Sequence, residues 1–323
     1  VYMNQTSSDI RSSGGNVSVT GQGGSGGGDN NWGVYLTGQA VIVAGGSGTV
    51  TVTGTGGSGT GSAHYGVYVK DNTNVKITSG GGRVSVIGTG TANSEGVRLE
   101  NSGTITSGSN AAITVTADSV NILVGSTTHS RSGTTQTARI QAIIDALVAD
   151  STINSGSGTT TIQTRTAGTQ IDLGGVDVLS GTLTLGLTDA ELDLITAGTI
   201  QVGNASSGAI TVSAAITPSG TSNLSLTTGA NVIDGNALAG SDITVATISI
   251  VASTGISTSG NLLEVDASTF ANVQTATGGI YIDIQDSGDV GHTVTSASAT
   301  TSGDVVFTAS TGGGTNTYVF NSV

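Results

Sequence analysis

In the stretch TDAELDL, Asp189, Glu191 and Asp193 alternate with apolar residues. On an extended strand that alternation sends all three carboxylates to one side, about 7 Å apart. Three hard oxygen donors on one face suit Ca2+, which makes this trio the candidate metal site; the alternative is a solvated strand face or the start of a short helix. Asp283 and Asp286, in YIDIQD, are a thinner version of the same arrangement. The glycine-aspartate run GGSGGGD, Gly23 to Asp29, misses the spacing of calcium-binding solenoid repeats by one residue and occurs once. GQGGSG (Gly21, Gly23, Gly26) and GTGGSG (Gly54, Gly56, Gly59) both fit the G-x-G-x-x-G pattern that cradles a dinucleotide pyrophosphate. That use requires a helix N-terminus directly after the glycines, whereas strand-like sequence follows both, so they read as turns. His64, His129 and His292 are not at metal-ligand spacing from one another and read as loop residues. Sugar-polymer chemistry needs paired acids, a charge-stabilising Arg or Lys and an aromatic-lined groove. The acids are sparse over the first 150 residues, and catalysis is not expected. The aromatic residues remain. Trp32 aligns with Tyr65 and Tyr35 with Tyr68, giving two short outward columns that either stack for stability or present a contact surface.

The composition narrows the function classes further. Only eight Lys and Arg stand against 21 Asp and Glu, for a net charge of −13, so phosphate contacts and a nucleic-acid partner are not expected. No apolar run approaches the ~18 residues of a membrane span. Cysteine is absent, which excludes disulfides, thiolate metal sites and a Cys nucleophile, and suits a chain that crosses membranes unfolded. With 35% hydrophobic and 9% charged residues the chain is too apolar to remain disordered. It carries no signal-peptide pattern, begins VYMNQ and ends in the strand-like TYVFNSV, and reads as a segment of something longer.

These residues must be positioned by a repeat. The triplets beginning at Val17, Val50, Val84 and Ile113 are spaced by 33, 34 and 29 residues. A second column runs through Gly33-Val34-Tyr35-Leu36, Gly66-Val67-Tyr68-Val69 and Gly96-Val97-Arg98-Leu99, and a third, shorter strand follows each. Apolar and polar residues alternate within the triplets, so stacked repeats about 4.8 Å apart would place Val and Ile in inward columns and Ser and Thr in outward ones. One repeat cannot bury its apolar face alone. The expectation is therefore all-β, an elongated parallel β-solenoid over residues 1–125. Residues 126–150 break the pattern with a polar loop and then ARIQAIIDALVAD, where Ile140, Ile143, Ile144, Leu147 and Val148 fall on one face of a helix. The spacing predicts an amphipathic helix capping the solenoid. A second, more degenerate solenoid is expected over 151–323.

Two further runs, LTLGLTDAELDLITAGTIQVGNASSGAITVSAAI (183–216) and NLSLTTGANV (223–232), resemble recurring segments of giant bacterial surface exoproteins of the filamentous-haemagglutinin, β-strand-repeat type. The likeness is best over about residues 138 to 285. It implies a right-handed β-helix, export to the cell surface, and roles in adhesion, cell contact or fibre formation. The N-terminal secretion domain of such proteins is not in this sequence. The reading is thus a structural or adhesive extracellular segment whose partners are copies of itself or neighbouring fibres. The alternative is a module that displays a binding surface to a glycan or protein, ahead of a polysaccharide-degrading enzyme.

Overall fold

The repeat found in the sequence is also the step between hydrogen-bonded strands. The computed structural model describes residues 1–71, 74–91, 94–107, 111–117, 120–122, 127–129, 140–144, 147–149, 153–178, 181–236, 240–286, 291–311 and 318–320. Apart from one five-residue helix, all the regular secondary structure described is β-strand, and every strand-to-strand pairing is parallel. The chain divides into two compact units: Val1–Arg165 with Leu194–Gly198, and Thr166–Asp193 with Thr199–Val323.

In the first unit three kinds of strand alternate along the chain. The first kind, Tyr2–Met3, Val34–Leu36, Val67–Lys70, Val97–Glu100, Val120–Ile122 and Leu147–Ala149, forms one sheet in that order. The second begins Asp9–Ser12, Val41–Ala44, Lys76–Ser79, Thr104–Ser107, and the third Val17–Gln22, Val50–Thr55, Val84–Thr89, Ile113–Ala117. Each strand therefore bonds to the strand three places along, one repeat away. The register is like on like, with Val17 opposite Val50, Val50 opposite Val84, and Val84 opposite Ile113. Alternation then sorts the side chains. Val50, Val84 and Ile113 are buried, while Thr51, Ser85 and Thr114 on the other face are half-buried.

The loops obey the same step. Asn16 Oδ1 accepts from the Thr49 amide at 2.9 Å, and Asp29 Oδ1 from the Ser62 amide at 2.6 Å. The glycine motifs prove to be places of close approach. Gly21, Gly54 and Gly88 lie opposite one another, and a Cβ on Gly54 would stand 2.0 Å from the Gly66 carbonyl oxygen, with near-equal clashes at the other two.

The expected helix is a correction. Ile140–Ile144 and Leu147–Ala149 are strands; the former pairs with Ile113–Ala117 on one side and Thr159–Thr164 on the other. The helical spacing was real, but four of its five apolar residues are β-branched and favour extended backbone, and Ile140–Ile144 finds a parallel strand to pair with on either side. Thr127–His129, within the expected polar loop, is also a strand, and the rest of that loop, 126 and 130–139, lies outside the described residues. The 126–150 segment belongs to the first unit.

In the second unit the strands Thr199–Val202, Asn223–Thr228, Ile243–Ala252, Leu263–Thr275, Ile280–Asp286 and Val305–Thr311 pair in sequence, and a smaller set pairs Thr184–Leu187, Gln170–Leu173, Ile210–Val212 and Val232–Asp234. The register slips once: Ile248 faces Phe270 but Ser249 faces Asn272, so Ala271 is an extra residue. Such a bulge bends a strand while keeping both flanking apolar positions inward, and Phe270 and Val273 are both fully buried. The long strand Leu263–Thr275 is met by three separate partners, Ile280–Asp286, His292–Val294 and Ala297–Ala299.

Candidate functional site

The aromatic column forms, with different members and less exposure than expected. Because Val34 and Leu36 point into the core, Tyr35 points outward, and the register puts Tyr2, Tyr35, Tyr68 and Arg98 in one row. Tyr2 and Tyr35 stack at 5.2 Å between ring centroids, Tyr35 and Tyr68 at 4.9 Å. Trp32 leans on Tyr35 at 4.2 Å, and Tyr65 meets Tyr68 edge-on at 5.0 Å. The Arg98 guanidinium ends the row, 5.1 Å from the Tyr65 ring and 6.0 Å from that of Tyr68.

The neighbours of these rings cover them. Tyr35 and Tyr68 are only 7% and 6% exposed, Trp32 and Tyr65 are half-buried, and Tyr2 is the one ring largely open to solvent. The expectation of outward, exposed aromatic columns is thus corrected for Tyr35 and Tyr68. Each stacked pair is worth about 0.5–1.5 kcal/mol beyond its buried area, which makes the row a staple between repeats.

A polar group secures its end. Tyr68 Oη donates to Glu100 Oε2 at 2.7 Å, Arg98 Nε donates to the same oxygen at 3.0 Å, and Arg98 Nη1 bonds Glu95 Oε1 at 3.0 Å. Burial would raise the Glu100 pKa, but the bonds from Tyr68 and Arg98 outweigh it and hold the carboxyl below its ordinary value. Burial, followed by the bond to Glu100, pushes the Tyr68 phenol up.

Asp189, Glu191 and Asp193 do not share a strand face. They lie on the helix Asp189–Asp193. Thr188 caps it: Glu191 Oε2 accepts from the Thr188 amide and hydroxyl, both at 2.9 Å, and the Glu191 amide donates back to Thr188 Oγ1 at 3.3 Å. Asp189 Oδ1 accepts from the Thr217 amide at 2.6 Å and Asp193 Oδ1 from the Ser219 amide at 2.7 Å. Three carboxylates that the alternation offered to a cation are instead each bonded to backbone N–H groups. The T-x-x-E pattern at 188–191 was the signal for this helix start.

Two of the three histidines lie on strands rather than loops, and the third, His64, is a buried residue of the connection between Val50–Thr55 and Val67–Lys70. His64 is fully buried; its amide donates to Ser94 Oγ at 2.8 Å and its Nδ1 accepts from the Asn31 amide at 3.3 Å. His292 is buried on the strand His292–Val294, with Nδ1 2.8 Å from the Ala267 carbonyl oxygen, and His129 lies on the strand Thr127–His129.

An acidic group that the sequence reading missed lies in the second unit. Asp234 ends the strand Val232–Asp234, Asp242 directly precedes Ile243–Ala252, and Glu264 is the second residue of Leu263–Thr275. One carboxylate oxygen from each lies within 4.8 Å of the others. Ile243 faces Val265, so Asp242 and Glu264 are side by side: the Asp242 amide donates to the Glu264 carbonyl at 2.8 Å, and the Glu264 amide to Asp242 Oδ2 at 3.1 Å. Asp242 is fully buried, Asp234 is 6% exposed and Glu264 half-buried. Burial raises the Asp242 carboxyl, and burial together with the adjacent Asp242 pushes Glu264 up to about 7. Such a group can hold a shared proton or a cation, whereas the depth of Asp242 keeps a polymer substrate from it. Its signal was the step of 22 residues that lays DITV (242–245) beside EVDA (264–267), hidden because columns in this unit step unevenly.

No protein-family model, curated protein or solved structure matches the chain.

Proposed function

We propose that this chain is a structural or adhesive segment of a large extracellular bacterial surface fibre, each unit folded as a right-handed β-solenoid. The supporting observation is the parallel pairing of strands in the first unit with their counterparts one repeat away, like residue on like through Val17, Val50, Val84 and Ile113. Backbone ladders of that kind run without interruption from repeat to repeat and resist extension. The covering of Tyr35 and Tyr68 within their own stack assigns them to holding repeats together rather than to capturing a ligand. Side chains on outward faces are left for lateral contact with copies of the chain or neighbouring fibres. The role is mechanical and assigns no catalytic step.

Electron microscopy of the purified chain over a concentration series tests the reading. Fibres that lengthen with concentration are expected; particles that stay the size of one chain throughout would overturn the self-assembling role. One observation favours a second reading, a display module for a glycan. The outer face of the first unit carries a hollow of about 430 Å3 where Asp9, Arg11, Gln39, Lys76 and Thr78 surround Val41 and Val43, a mix of polar tips and apolar floor. Binding to a glycan panel that is lost in Lys76→Ala would favour it.

A further inference from the structure

The row containing Glu264 continues to Asp283 and Thr308, and the contrast along it is instructive. Asp283 is satisfied, one oxygen accepting from Gln285 Nε2 at 2.6 Å and the other from the Thr308 hydroxyl. One step earlier the pairing is of two acids, an arrangement that repels when both are ionised. Asp234 brings a third carboxylate to the same point, one oxygen of which accepts from the Asn236 amide at 2.8 Å.

Asp242 has no exposed surface, and while its Oδ2 accepts from the Glu264 amide, its Oδ1 has no hydrogen-bond partner; Glu264 Oε2 is likewise buried and unpartnered. A buried carboxylate oxygen left without a donor has lost its hydration with nothing in exchange and is destabilising. Both belong to a group whose three carboxylates meet within 4.8 Å, where a shared proton or a cation relieves the repulsion, and a cation serves all three at once.

We propose that Asp234, Asp242 and Glu264 bind a divalent cation, Ca2+, and that the ion joins the loop entered at Asp234 to the strands that follow it. All three donors are hard oxygens, and a separation of up to 4.8 Å fits across an ion that takes oxygens at about 2.3–2.6 Å. Mg2+, at about 2.0–2.1 Å, demands a tighter and more regular shell. The inference does not rest on the fibre reading, since a cation clip of this kind serves any function of the unit.

The test is isothermal titration of the chelator-stripped full chain with CaCl2 at pH 7.5, with parallel thermal melts. Saturable Ca2+ binding and an upward shift in Tm are expected, both lost in Glu264→Gln and in Asp242→Asn. Without Ca2+, Glu264→Gln should melt at or above the parent temperature, because it removes one of three clustered like charges; a residue needed only for packing would lower it. Glu264 is half-buried, so its variant keeps the test open if Asp242→Asn fails to fold. A folded parent chain that gives no Ca2+ heat, or Ca2+ binding undiminished in Glu264→Gln, would overturn the proposal. Mg2+ binding as tight as Ca2+ would overturn the choice of ion. Fibre growth by microscopy is scored separately and can fail or succeed without affecting this result.

Discussion

Glu100 shows how one side chain ties two repeats together through charge. Its carboxylate takes hydrogen bonds from Tyr68 in the preceding repeat and from Arg98 in its own, and its pKa is held below the ordinary value of 4.5. A carboxyl whose pKa is depressed on folding adds stability above its unfolded value, and that stability is lost as pH falls through the folded one. The Tm of the first unit should therefore decline as pH drops below about 4.5, and the Glu100→Gln variant should lose part of that decline, by calorimetry across an acid series. Tyr2 and Arg98, the two members of this row absent from the expected contact set, stand one repeat from residues that were in it. They were legible from spacing alone; the burial of Tyr35 and Tyr68 was not, because it depends on how closely the rings approach one another.

At the scale of strands and turns, the glycine column sets the tightest tolerance. Adding a methyl group at Gly54 drives it against the Gly66 carbonyl, whereas at Gly26 it would meet nothing within 4 Å. Gly54→Ala should cost about 1–3 kcal/mol or more in urea unfolding, and Gly26→Ala should stay within about 0.5 kcal/mol of the parent. The two glycines belong to neighbouring copies of the same sequence motif, so the motif itself does not separate them. Element type was legible wherever apolar residues alternate with polar ones, as in Val50–Thr55. It failed at Ile140–Ile144, where helical spacing and β-branched composition disagreed and the strands on either side decided the outcome. At Asp189–Asp193 two readings stood open, a carboxylate face on a strand and the start of a short helix; alternation over five residues fits both, and the capping pair Thr188 and Glu191 decides for the helix.

At the scale of the first unit, each repeat of three strands pairs in parallel with the repeats before and after it. Excising residues 50–83 would bring Val84 against Val17 in the register that Val50 now holds, with the other two strand sets shifting by the same step. That variant should retain a cooperative melt and the same far-UV circular dichroism per residue. Excision of 50–66 alone, which removes one strand of a set of three, should not. The acidic cluster was illegible at this scale for a related reason: the second unit steps unevenly, and its bulge at Ala271 breaks the count needed to lay Asp242 beside Glu264. In the first unit the pairing of a strand with the third one after it also has a genetic consequence. A slip in copying that adds or drops a whole repeat leaves every surviving residue a suitable neighbour, while a slip of ten residues leaves none. The number of repeats in this unit can therefore change between generations in discrete steps without selection having to redesign any part of it.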